Sequence, residues 1–233
     1  MKKTIFPICL AISLIWPGSI QAQEEGAPYL DAVIKRFSLL KDYTVDVKVH
    51  FDIEAFKSPD MEGRLYYKAP DKMKVDSKRI FFFPREGGYF NPAAFKPENF
   101  EVNLLERLIE EERKAVRIRL IPKKARWPGQ SFILTIDTER NLIRGIDTSP
   151  SGGREIKASI EYGRFGQFDL PTRIRLQLDI PSIEMDGTRF FDPSLQKAKR
   201  IRGKIEIVYS NYKVNTGLSE EIFQEKERAL KKD

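Results

Sequence analysis

The side chains able to carry acid–base, nucleophilic or metal chemistry are few. His50 is the one histidine and Cys9 the one cysteine. A Ser–His or Cys–His apparatus would have to use His50, and zinc would have to be held mostly by carboxylates. His50 falls on the polar side of an alternating stretch, where a solvated strand position is the ordinary reading. Acid pairs such as Asp179 and Glu184 carry no signal among 34 acids. The run Glu110-Glu111-Glu112 reads as a solvated face, because no other ligand type accompanies it. No enzyme activity, metal or cofactor is therefore expected. What remains are basic clusters. Lys123, Lys124 and Arg126 beside Trp127 are candidates for touching anionic head groups or a partner, and Lys197, Lys199, Arg200 and Arg202 form a second cluster. A solvated turn explains the same residues without any ligand.

Composition narrows the partner classes. The chain has 233 residues, with 41 Lys and Arg against 34 Asp and Glu, a formal net charge of +7 and 41% hydrophobic residues. Its first 22 residues read as a signal peptide: Lys2 and Lys3, an apolar run from Ile5 to Trp16, a break at Pro17-Gly18, and a cleavage site after Ala22. The run is short for a membrane span. Removing it takes Cys9, two lysines and no acid, leaving residues 23–233 as a single cysteine-free domain of 211 residues and net charge +5. Export to the periplasm argues against nucleic acid. The basic balance points to anionic lipid, acidic polymer or an acidic protein.

The elements that would position these groups follow from periodicity. Pro28 to Leu40 puts Leu30, Val33, Ile34, Phe37 and Leu40 on one helical face. Thr44 to Phe56 alternates, with Val45, Val47, Val49, Phe51 and Ile53 opposite Asp46, Lys48, His50 and Asp52, as in an antiparallel strand with one wet face. Similar strands run through 62–68, 72–78, 79–83, 116–120, 132–136, 142–147, 156–162, 173–180 and 205–214. Phe100 to Lys114 is expected to form a second helix, with Leu104, Leu105, Leu108 and Ile109 as its stripe. Pro84–Pro97 reads as an irregular aromatic loop and Pro181–Arg200 as a long exposed excursion. Ser219 can cap a last charged helix. The expectation is an α+β fold, mainly antiparallel β. Its ten or eleven strands form a curved, half-open barrel wrapped around covering helices.

Three stretches carry a resemblance to a known family. One is the helix Tyr29–Leu40 running straight into a long alternating strand. The second is Gly63-Arg64-Leu65-Tyr66-Tyr67-Lys68-Ala69-Pro70-Asp71-Lys72-Met73-Lys74-Val75. The third is Tyr209-Ser210-Asn211-Tyr212-Lys213-Val214-Asn215-Thr216-Gly217-Leu218-Ser219, followed by Phe223. Together they resemble the periplasmic lipoprotein carriers of the LolA type and their LolA-like relatives, over most of the chain after residue 22. The resemblance implies a half-open barrel with helices as a lid, and acyl chains held between them. Ala69 departs from the family pattern: the founding carriers have at that position an Arg that ties the lid shut, so a latch by that route is in question. The 84–97 loop, the 181–200 excursion and the tail also look longer than the family minimum.

The expected function is a periplasmic carrier or binder of lipoprotein acyl chains or another lipid. It would move or sequester apolar cargo between inner and outer membrane. The candidate lining is Val47, Val49, Phe51, Leu65, Tyr67, Val75, Phe81 and Phe83 from strands, with Leu104, Leu105 and Leu108 from the second helix. Each of these is also an ordinary core residue. Implied partners are an inner-membrane donor and an outer-membrane acceptor, with transient contact to a membrane surface, for a monomeric protein. The alternative is an envelope-stress sensor or interaction module that binds a membrane protein through the same fold.

Overall fold

The computed structural model describes residues 25–54, 59–77, 91–124, 129–148, 153, 155–181 and 200–224. The signal peptide, the strand expected at 79–83, Arg126 with Trp127, and the interior of the 181–200 excursion lie outside these residues, as do Lys197 and Lys199.

One helix, α1 (Ala27–Phe37), leads directly into the sheet. The strands are β1 (Asp42–Ile53), β2 (Met61–Lys68), β3 (Lys72–Asp76), β4 (Phe100–Glu110), β5 (Arg113–Pro122), β6 (Phe132–Asp137), β7 (Leu142–Thr148), β8 (Glu155–Phe165), β9 (Phe168–Pro181) and β10 (Arg200–Val214). They form one antiparallel sheet in the order β3-β2-β1-β10-β9-β8-β7-β6-β5-β4. First and last strands therefore pair in its interior, with Val49 opposite Ile207 and Phe51 opposite Ile205. Its two edges, β3 and β4, are not paired with each other, so the barrel is half-open.

One face of this sheet is the core. Val45, Val47 and Val49 of β1, Ile118 and Leu120 of β5, and Ile205 and Ile207 of β10 are all buried, and α1 places Leu30 and Val33 against them. The helix forms because its apolar residues recur at three- and four-residue spacing and Pro28 suits its first turn. It sits close at its start. A methyl group at Gly26 would lie 2.9 Å from Val102 Cγ1 of β4, so α1 reaches the edge strand with no side chain between. Gly203 of β10 has φ +154°, and a Cβ there would meet the Asp52 carbonyl at 2.3 Å, which reserves the position for glycine.

The helix expected over Phe100–Lys114 is instead the β4–β5 hairpin. A register shift between Leu104 and Glu106 inserts one extra residue, Leu105. Before the bulge, Val102 and Leu104 stand opposite the inward Leu120 and Ile118. After it, Leu108 stands opposite Ala115, on the outer face that carries the Glu106–Arg117 ion pair. Two alternations out of phase put apolar residues at 104, 105, 108 and 109, which imitates a helical stripe. The acids Glu111 and Glu112 are not the end of a helix but the two-residue turn, at φ 48° and 64°.

Asp42 secures the join between the chain's two ends. It is 4% exposed and accepts hydrogen bonds from the backbone N–H groups of Thr216 (2.8 Å) and Gly217 (3.1 Å). The Asn215 side-chain oxygen accepts from the Lys41 N–H (2.8 Å). Residues 221–224 are helical, and the Ser219 hydroxyl accepts from the Glu221 N–H at 3.3 Å, as its capping role requires.

Candidate functional site

The inner face holds an apolar cavity of about 100 Å³ at the end of the barrel where α1 hands over to β1. Val33, Phe37 and Leu40 line it from the helix side, Leu142 and Ile143 from β7, and Phe168 and Leu170 from β9. The same end carries a chain of rings. Phe37 of α1 packs on Tyr67 (centroids 5.6 Å), Tyr67 stacks on Tyr43 (5.1 Å), and Tyr43 leads to Tyr212 and Phe165. Two of their hydroxyls, and that of the nearby Tyr162, are satisfied from within: Tyr67 donates to the Pro70 carbonyl, Tyr212 to Pro171 and Tyr162 to Ile143. Burial pushes the Tyr67 phenol up to about 12, with help from Asp71, and burial raises Tyr43, Tyr162 and Tyr212 as well. The ring cluster is therefore uncharged at physiological pH.

The rim is charged. Asp169, at the start of β9, has a side chain only 3% exposed, and three arginines converge on it. Arg36 reaches it from the last turn of α1, Arg140 from the β6–β7 turn at 2.5 Å, and Arg164 from β8 at 3.3 Å. Burial by itself would raise the Asp169 pKa. The hydrogen bonds from Arg140 and Arg36 outweigh it and hold the carboxyl below its ordinary value. Arg36 also offsets the negative end of the helix. This ion pair ties α1 to the sheet by a route other than the one at Ala69, whose backbone N–H instead donates to the Lys41 carbonyl (2.8 Å). No group of His, Cys, Asp and Glu among the described residues could hold a metal ion.

The residues picked out from sequence fall in several places. Val47, Val49, Phe51, Leu65 and Tyr67 are buried in the common core, where they pack against one another beneath α1. Val75 of β3 and Leu104 of β4 are half-buried at the two sheet edges and pack on the same core. Leu105 is 40% exposed at the bulge, and Leu108 is on the outer face. Phe81 and Phe83 lie outside the described residues. Lys123 and Lys124 are exposed just beyond β5, at the opposite end of the barrel from the cavity, and Arg126 and Trp127 are again outside the described residues. Sequence reasoning missed Arg36, Arg140, Arg164 and Asp169, which come from four separate elements. The one local hint was Asp169 itself, an acid between Phe168 and Leu170 at a strand start.

No family model and no curated protein matches the sequence. Solved structures do match. A domain of Vibrio parahaemolyticus named for outer membrane lipoprotein sorting is similar with a TM-score of 0.58 at 11% identity, covering 88% of this chain and 98% of its own. A DUF1329-family protein of Desulfovibrio piger is similar with a TM-score of 0.57 at 10% identity, over 86% and 98%. A LolA superfamily protein of Nitrosomonas europaea gives 0.52 at 11%, over 85% and 97%. The fold is LolA-like. The LolA-like domain thus keeps its architecture at an identity too low to carry side-chain roles across. The arginine-rimmed cavity must be read from this chain's own residues.

Proposed function

We propose that this LolA-like domain binds the acyl chain of a lipid or lipoprotein in the periplasm and carries or sequesters it between the two membranes. The observation that supports this most directly is the apolar cavity lying between α1 and an unclosed sheet. Such a layer pair can part without breaking any strand pairing. About 100 Å³ is roughly the volume of three waters. Pockets for ligands of ordinary size are about 300–1,000 Å³. A whole acyl chain therefore enters only as α1 lifts, exchanging helix-to-sheet contacts for chain-to-sheet contacts. Both surfaces are apolar, so the exchange is nearly balanced and needs no covalent chemistry. The naming of one structural neighbour for lipoprotein sorting agrees with this reading.

Chain length provides the test. Each methylene taken from water contributes roughly 0.8 kcal/mol, so two more should tighten binding about tenfold until the space is full. Calorimetric titration with alkanols of increasing length should give that progression, and organic extraction of protein purified from the periplasm should release a lipid. Affinity independent of chain length, with nothing extracted, would overturn the proposal.

A further inference from the structure

We infer that Arg36, Arg140 and Arg164, gathered around Asp169 at the mouth of the apolar cavity, form a head-group site for an anionic amphiphile. The ligand is one whose carboxylate or phosphate sits at the rim while its chain enters beneath α1. The inference rests on the acyl-binding reading above and adds to it the charge class of the cargo and the end by which it is held.

Three features carry it. The first is charge. Three guanidiniums share one carboxylate, which leaves an excess of two positive charges among these four side chains. The second is donor supply. A guanidinium has five N–H donors; Asp169 engages one on each arginine, and the Gly166 carbonyl takes one more from Arg164 (2.9 Å). The arginines are from 35% to 60% exposed, whereas Asp169 is enclosed, so the quartet presents its cationic side outward. The third is position. Arg36 and Asp169 themselves line the cavity together with Phe37, Phe168 and Leu170, so the polar site and the apolar space share a wall. Planar forked donors suit carboxylate and phosphate oxygens, and Asp169 fixes the forks in advance. Asp169 thus acts as a positioning residue that keeps the arginines gathered while no ligand is present. The lysines at the far end of the barrel share none of this, since no described apolar cavity adjoins them.

Four probes with ten-carbon chains separate the possibilities: decanoate, decyl phosphate, decanol and decyltrimethylammonium, titrated into the purified protein at constant ionic strength. Decanoate and decyl phosphate should bind at least tenfold tighter than decanol, and the cation weakest. In the variant carrying Arg140→Gln and Arg164→Gln the anionic advantage should fall to less than threefold while decanol binding stays as it was, which also shows that the variant is folded. Lysine at both positions should restore most of the advantage over decanol. A preference for decyl phosphate over decanoate would assign the site to phosphate head groups, and the reverse to carboxylates; either order supports the site. If decanol and the anions bind equally, the head-group site is wrong and acyl binding stands. If the anionic advantage survives both Arg→Gln changes, these arginines are not its source and the assignment fails. If none of the four binds, the acyl-binding reading fails and this one with it.

Discussion

At the scale of the residue, the most consequential group is an acid whose role is to hold bases. Asp169 is enclosed, yet its carboxyl is held below its ordinary pKa because the arginine hydrogen bonds exceed the cost of burial. A carboxyl depressed in the folded state contributes stability that is complete above its unfolded pKa, about 4, and is lost as pH falls through the folded value. Asp169→Asn should therefore cost about 1.5–3 kcal/mol at neutral pH, the usual range for hydrogen bonds to charged groups. The gap from the parent protein should be constant above about pH 5 and shrink below about pH 4, as the parent's own carboxyl takes up its proton. Urea denaturation across that interval measures it. A gap that widens in acid would show that the carboxyl is not held ionised by its neighbours.

Elements show where local pattern suffices and where it fails. The stripe Leu30, Val33, Phe37 was enough for α1, and strict alternation was enough for β1 and for β10 as far as Tyr209, because each meets the core there along one phase; beyond Tyr209 a register shift against β1 moves the inward positions of β10 to Tyr212 and Val214. β4 defeats the same logic. Its bulge at Leu105 splices two alternations, and its Leu, Glu and Arg content has helical propensity that cross-strand pairing with β5 overrides. The turn after it carries no Asn-Gly signal either, since Glu111 and Glu112 occupy left-handed backbone that glycine would take without strain. Glu112→Gly should accordingly stabilise the protein by about 0.5–1 kcal/mol, read as a higher denaturation midpoint with an unchanged slope. The arginine rim was invisible for another reason. Arg36, Arg140, Arg164 and Asp169 are spread over more than half the chain and meet only through sheet order.

For the whole molecule, the decisive fact is that the described sheet has a packed interior and that its outermost described strands, β3 and β4, do not pair with each other. Proteins of about a tenth sequence identity share this fold, so the likeness is one of architecture rather than of side chains. Among the described strands, the sheet can widen at the seam between β3 and β4 without losing an inter-strand ladder, as the proposed acyl binding requires. The pairing of β1 with β10 in the middle of that sheet bears on how the chain comes to be folded at all. The strand made first has its central neighbour made last, about 150 residues later, so the longest loop in the protein must close before the middle of the sheet exists. Assembly is then slow and non-local, leaving the nascent chain a long interval without a finished core. A fragment ending at residue 199 should show it: β1 and β9 would be left as bare neighbouring edges, and the fragment should aggregate or remain unfolded by circular dichroism. Adding residues 200–233 as a separate peptide should restore a cooperative thermal transition, since that peptide supplies the missing central strand.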